Sequence, residues 1–315
     1  MTPKSPKGDF WQCNKVLFRE FRGNKAKLGY SYSSPFWQFR KILIDKVMES
    51  FMMSCGIPIR VNDQGKGNTI VLLHGYLETL EIWEAFAVPL AKQYRVITLD
   101  LPGHGLSGWN GGIHTMEFMG DAVKGVLDKL AVKQCLLVGH SMGGYVALAF
   151  AKKYDDVLRG LCLFHSSPNP DAEEKKANRN REIALIREDK LGLIASQAIP
   201  NIFAPDNVKR FEETIEEIKV NVEFADKDGI IACLEGMKQR EDMNDFLLRY
   251  AKPLLLIFGK NDNLIGWDVA QVLIGKLKNA DVLVLENSGH IGFLEEPEAS
   301  EQGLLAFAGK VFSEK

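Results

Sequence analysis

A serine hydroxyl is a poor nucleophile unless a base takes its proton as it attacks. Ser141 stands where such an arrangement is encoded: Gly139-His140-Ser141-Met142-Gly143 is a G-x-S-x-G pattern. The apolar run 135–138 stops at Gly139, and residues 143–150 continue with the apolar spacing of a helix. That strand-to-helix context gives the pattern its meaning. The turn is so tight that residues two before and two after the serine must lack bulky side chains. It lifts the hydroxyl clear of a sheet and over the positive end of a helix, where developing negative charge is stabilised. A serine so placed requires a histidine base and a carboxylate to orient that base. The chain supplies both in the order Ser, Asp, His. Asp262 ends Phe258-Gly259-Lys260-Asn261-Asp262 and His290 ends Glu286-Asn287-Ser288-Gly289-His290, each just past an apolar strand. Groups beyond the carboxyl ends of strands gather at one edge of an open α/β sheet. Singly, an Asp after a strand is a turn former and a lone His is structural; with the serine elbow before them they read as one site.

The elements that must position these residues alternate regularly from Gly56 onward. Strand patterns at 57–61, Thr69–Leu73, Arg95–Leu99, 135–138 and Leu158–Phe164 are separated by helical patterns at 79–93, 116–130 and 143–150. Alternation of this kind favours a parallel sheet with helices on both faces. Thr115 is the expected N-cap of the second helix, whose stripe is Met116, Met119, Val123, Val126, Leu127 and Leu130. The rhythm breaks at residues 166–171, SSPNPD, which is turn chemistry. The next eighty residues are helical and charged, with Val208, Phe211, Ile215, Ile218 and Val222 forming an amphipathic face that needs something to cover. The segment reads as a helical lid inserted between strands. The sheet pattern resumes at 253–258 and Asp281–Leu285, and Pro297 opens a closing helix.

Residues 56–315 resemble the alpha/beta-hydrolase fold family, in its branch with an inserted helical cap. The matching stretches are LLHGY (72–76), DLPGHGLS (100–107), VGHSMGG (138–144), GKNDNLI (259–265) and NSGHIGFLEEP (287–297). The resemblance implies a mostly parallel central sheet flanked by helices. Its core would comprise 55–168 and 251–315, and its cap, placed after the sixth strand, 169–250. It implies Ser141 as nucleophile, His290 as base and then acid, and Asp262 as the carboxylate that holds the imidazole. The oxyanion hole would be the backbone N–H groups of Met142 and Tyr76. Serine in place of aspartate at the nucleophile position disfavours dehalogenase and epoxide-hydrolase chemistry. The expected reaction is cofactor-independent hydrolysis of an ester, thioester or lactone of a small to medium acyl compound through an acyl-enzyme. The same scaffold also supports carbon–carbon bond hydrolysis, lyase chemistry and perhydrolysis, and, further off, a non-catalytic ligand-binding module. Leu77, Phe164, His165 and Phe293, with Tyr76 and Met142, are the expected walls of the acyl pocket. His74 and His104, each before a glycine, read as loop braces, His140 as packing beneath the elbow, and His114 as a loop residue.

With 46% hydrophobic and 25% charged residues, the composition is that of an ordinary globular chain. A net charge of −2 gives no electrostatic reason to expect nucleic acid as a partner. No cluster of His, Cys or acidic residues has metal-ligand spacing, and no Gly-rich loop matches a phosphate-binding pattern, so neither metal nor cofactor is expected. The five cysteines are dispersed in apolar contexts, which argues for reduced thiols in a cytoplasmic protein. No secretory leader is legible in the first ten residues. Residues 1–54 differ from the rest, with ten basic residues against four acidic ones and interleaved aromatics. Phe36, Phe39, Leu43, Val47 and Phe51 predict a helix from Pro35 to about Ser54, packed on the main domain. A membrane- or partner-binding arm is a less favoured alternative, and disorder the least favoured.

Overall fold

In the computed structural model, which describes residues 48–313, the apolar runs become one eight-stranded sheet. The strands are β1 (Met48–Ser54), β2 (Ile57–Gly65), β3 (Thr69–Leu73), β4 (Arg95–Leu99), β5 (Cys135–His140), β6 (Leu158–Phe164), β7 (Leu254–Gly259) and β8 (Asp281–Leu285). They lie in the order β1-β2-β4-β3-β5-β6-β7-β8. Pairings from β4 through β3, β5, β6 and β7 to β8 are parallel; β1–β2 and β2–β4 are antiparallel. β3, β5 and β7 are buried at every residue, as expected of strands covered on both faces. Register then fixes where function falls. Leu73 lies opposite Gly139, His140 opposite Phe164, and Gly259 opposite Leu285, so the carboxyl ends of these strands finish along one edge.

The helices of the core are α1 (Glu84–Leu90), α2 (Met116–Lys129) and α3 (Met142–Lys153) before the break at residue 166. Thr115 caps α2, its hydroxyl oxygen accepting from Phe118 N–H at 3.1 Å. Between β6 and β7 the regular elements are all helical, and the α-helices are α4 (Glu173–Arg187), α5 (Leu191–Asn201), α6 (Glu212–Glu223), α7 (Lys227–Lys238) and α8 (Asn244–Leu248). Of the expected apolar face, Ile215, Ile218 and Val222 are buried, and Val208 and Phe211 are half-buried. Asp171 anchors this insertion, taking Arg179 Nε and Arg240 Nη1 at 2.5 Å each, all three side chains being buried. Arg240 in turn lies 4.0 Å from the centre of the Tyr145 ring on α3. The core resumes with α9 (Trp267–Lys276), then α10 (Gly292–Glu295) and α11 (Pro297–Ser313) after β8. Among the described residues no helix is long and apolar enough to cross a membrane.

One expectation is corrected. The helix predicted to run to Ser54 is, over Met48–Ser54, the edge strand β1, so the sheet begins within the segment read as an N-terminal extension. The reason is local. Ser54 pairs with Ile57 across a two-residue turn, and Cys55 and Gly56 both have positive φ, 48° and 81°. That is the turn geometry whose twist matches a hairpin, and it folds 48–54 back on β2. The rest of the expected helix lies outside the described residues.

Candidate active site

The elbow is built from backbone strain and absent side chains. Ser141, between β5 and α3, has φ 50° and ψ −115°, a left-handed conformation rare for a residue with a Cβ. Its surroundings hold it there: Ser141 N–H donates to Phe164 O at 3.0 Å, and Ser141 O accepts from Gly144 N–H and the Ser166 hydroxyl at 2.9 and 2.7 Å. A Cβ on Gly139 would run into the Gly143 carbonyl, and one on Gly143 into the Leu73 and His74 carbonyls. The small residues two before and two after the serine are therefore required sterically. As the first residue of α3, Met142 has an N–H with no intrahelical acceptor.

The other two predicted residues meet the serine there. His290 Nε2 is 2.7 Å from Ser141 Oγ, and His290 Nδ1 is 2.8 Å from Asp262 Oδ2. The Asp262 carboxylate is fixed from its other side by Leu264 and Ile265 N–H, at 2.8 and 2.9 Å from Oδ1. Burial opposes its charge, but His290 and the imidazole hydrogen bonds outweigh that and hold Asp262 far below the usual carboxylate range. Serine oxygen, imidazole and carboxylate thus form one continuous hydrogen-bonded line. The His290 main chain is also fixed, its N–H donating to Ile202 O of the insertion at 2.7 Å.

His165 and the two phenylalanines lie elsewhere than expected. His165 is fully buried behind Asp262, its Nδ1 3.4 Å from Asp262 Oδ2. Gly259 and Gly292 N–H point at its two ring nitrogens, each at 3.1 Å. Burial pushes its pKa down to about 4, so the ring is neutral and braces the carboxylate loop; it is not a pocket wall. Phe164 and Phe293 have no more than 1% of their surface exposed. They pack with Trp83, Phe86 and His140 beneath the elbow, Phe293 lying 4.2 Å from the Trp83 ring centre. Both are core, because an aromatic next to a sheet edge is drawn into the nearest apolar layer. Leu77 is 5% exposed and sits on the loop after β3 with φ 62°. His74 braces loops as expected, Nδ1 donating to Gly75 O and Nε2 accepting from Leu101 N–H, at 2.8 and 2.9 Å.

Two buried acids were not anticipated. Glu78 Oε2 is 2.6 Å from Gly75 N and 2.9 Å from His140 Nδ1. Glu295 accepts from Ala204 N–H, the Asn207 amide and Gly289 N–H, at 2.7, 2.8 and 2.7 Å. Their only sequence signal is an acid inside an otherwise apolar or glycine-rich loop, which a solvated turn shows equally. Above the site, Tyr76 Oη lies 3.2 Å from Glu182 Oε2 on α4, and Cys233 Sγ on α7 lies 3.0 Å from Met142 Sδ. Among the described residues, His165, Asp262 and His290 are the one group whose donor atoms are close enough to share a metal ion. Those atoms are engaged with one another, with Ser141 and with backbone N–H groups, which leaves no convergent set of lone pairs.

A mostly parallel sheet carrying a strained serine, an imidazole and a carboxylate at its carboxyl edge defines an alpha/beta-hydrolase architecture, and comparison with known proteins agrees. The family model for the alpha/beta hydrolase fold matches residues 68–185 and 192–297, and the chain belongs to that family. It is 27% identical over 259 residues to a pimeloyl-[acyl-carrier protein] methyl ester esterase of Vibrio vulnificus, covering 78% of this chain and 96% of that one. It is 30% identical over 275 residues to a 2-hydroxy-6-oxononadienedioate/2-hydroxy-6-oxononatrienedioate hydrolase of Paraburkholderia phymatum, covering 81% and 93%. Among solved structures, a thermophilic esterase from Thermogutta terrifontis, malate bound, superposes with a TM-score of 0.80 at 31% identity, covering 84% of this chain and 99% of that one. These likenesses support a hydrolase.

Proposed function

We propose that the protein is a cofactor-independent serine hydrolase that cleaves an ester, thioester or lactone of a small to medium acyl compound. The observation that carries this reading is the line from Ser141 Oγ through His290 to Asp262, with contacts of 2.7 and 2.8 Å. Ser141 Oγ bonds to the carbonyl carbon while its proton passes to His290 Nε2. Asp262 accepts from Nδ1–H, fixing the tautomer and stabilising the imidazolium that forms. The carbonyl oxygen, now negative, accepts from Met142 and Tyr76 N–H, each such donor being worth about 3 kcal/mol in the transition state. His290 then protonates the departing group. Water, deprotonated by the same imidazole, releases the acid from Ser141.

The helical insertion caps the site, a role its contacts to Tyr76 and Met142 support, and Leu77, Tyr76 and Met142 are the remaining candidates for the acyl wall. The reaction is placed in the cytoplasm, a setting that the free, buried thiols of Cys135, Cys162 and Cys233 suit. A carbon–carbon bond hydrolase is the second reading, favoured by the 30% likeness to the Paraburkholderia phymatum hydrolase.

The test is Ser141→Ala against a panel of p-nitrophenyl esters of increasing acyl length and a vinylogous diketone. Ester turnover falling on the order of 10⁶-fold in the variant is expected. Near-normal turnover in the variant removes the nucleophile assignment, and diketone cleavage without ester cleavage selects the second reading.

A further inference from the structure

His140 makes two contacts that a neutral imidazole cannot make together when Glu78 is ionised. Its Nδ1 faces Glu78 Oε2 at 2.9 Å and its Nε2 faces the His290 carbonyl oxygen at 2.7 Å. The carbonyl is an acceptor only, and Glu78 as a carboxylate is one too; both ring nitrogens then carry hydrogen, and the ring is an imidazolium. Glu78 Oε2 is itself shared, because Gly75 N–H also donates to it at 2.6 Å. An ionised carboxylate oxygen has the lone pairs to receive both donors. Both side chains are buried, His140 completely, so neither charge is solvated and each requires the other.

We propose that Glu78 and His140 form a buried carboxylate–imidazolium pair that positions the reacting groups on either side of it. Through Glu78 it holds Gly75, whose neighbour Tyr76 supplies an oxyanion donor. Through Nε2–H it holds the carbonyl of the base, His290, and His140 is itself joined to Ser141. The pair therefore sets the distance between the oxyanion loop and the base, and both residues are positioning residues. The inference rests on the proposed roles of Ser141, His290 and Tyr76 only for its kinetic consequence, not for the charge state.

Burial opposes a charge on His140, but the Glu78 carboxylate and its hydrogen bond outweigh that and raise its pKa, while Glu78 is lowered by the same partner. The other titratable groups facing the ring are Asp262 after β7, His290 after β8, His165 after β6 and His74 after β3. Of these, His165 and His74 are driven toward the neutral form by burial, so they do not compete for the charge.

The full-length protein labelled with ¹⁵N-histidine is examined by NMR at a pH of about 8, well above the ordinary histidine value of about 6.5. One ring should keep both N–H protons; that signal should persist in His290→Asn and vanish in His140→Gln. Glu78→Gln should remove one of the two protons, because a neutral amide can accept the same hydrogen bonds but has no charge to hold a buried imidazolium. Its kcat should fall about ten- to a hundredfold while KM stays within about threefold, the signature of misplaced groups. A singly protonated His140 in the wild type, or Glu78→Gln with unchanged kcat, overturns the proposal. Absence of Ser141-dependent turnover in the wild type would overturn the hydrolase reading instead, and the spectrum would still decide the charge state.

Discussion

At the scale of single residues, the site depends on atoms whose partners are fixed. Asp262 spends one oxygen on two backbone N–H groups and the other on His290 Nδ1. Asp262→Asn would keep the loop bonds, yet offer an NH₂ or a weaker acceptor to the imidazole and favour the wrong tautomer. We expect kcat to fall about 10⁴-fold with KM nearly unchanged, measured on the best ester of the panel. Retention of a tenth of the activity or more would remove Asp262 from its role. Gly143 is constrained by space alone, since a Cβ there meets the carbonyls of Leu73 and His74. Gly143→Ala should lose about 1–3 kcal/mol of stability by denaturant titration, and activity along with it, because the backbone that carries Ser141 has to shift.

At the scale of elements, the loops that carry the three residues are tied to parts of the chain far away in sequence. Glu295, on α10, bonds the 204–207 segment of the insertion with one oxygen and Gly289, beside His290, with the other. Glu295→Gln forces one N–H to face another, so it should destabilise the protein by about 1–3 kcal/mol. It should also lower kcat, because the His290 loop and the insertion lose a common anchor. A variant with unchanged melting and kinetics would show that this tie is dispensable. The elements themselves were largely legible in the sequence. Thr69–Leu73, Arg95–Leu99, Leu158–Phe164 and Asp281–Leu285 are short, mostly apolar stretches followed by turn residues, and each is a strand over those same residues. β1 was not legible, because its apolar residues fit a helical period as well as a strand, and pairing across a Cys-Gly turn decides between them. Ser141, Asp262 and His290 could be found because each follows a strand end with recognisable turn chemistry. Glu78, Glu295 and the bracing role of His165 depend on contacts across 62, 91 and more than 90 residues of chain, which no local pattern encodes.

At the scale of the whole molecule, buried histidines set the response to acid. Burial lowers His165 to about 4 and His104 to about 3, and His74 and His114 are lowered by the same cause. Below pH about 6.5 the unfolded chain takes up protons at these rings that the folded chain refuses. Stability should therefore fall as pH drops from about 6.5 toward 4, by up to about 1.4 kcal/mol per pH unit for each such ring. His140 acts in the opposite sense. Its raised pKa contributes stability that is complete below about 6.5 and is lost as pH rises through the folded value. Glu78 and Asp262, both lowered, contribute stability above their unfolded values near 4 and lose it only in stronger acid. Denaturant midpoints should decline toward pH 4 from a maximum at or above about 6.5. A midpoint that rises steadily between about 6.5 and 4 would contradict the neutral state of these rings.

The claim that the hydroxyl of Ser141 bonds to the acyl carbon is open to direct inspection. Wild-type protein is mixed with an activated ester, quenched in acid during the first turnovers, digested and weighed. The acyl mass should appear on the peptide containing Ser141, in step with a burst of released alcohol equal to the enzyme present, and should be absent from Ser141→Ala. Sustained turnover with no acyl group on that peptide, and a Ser141→Ala variant that still turns over, would contradict it.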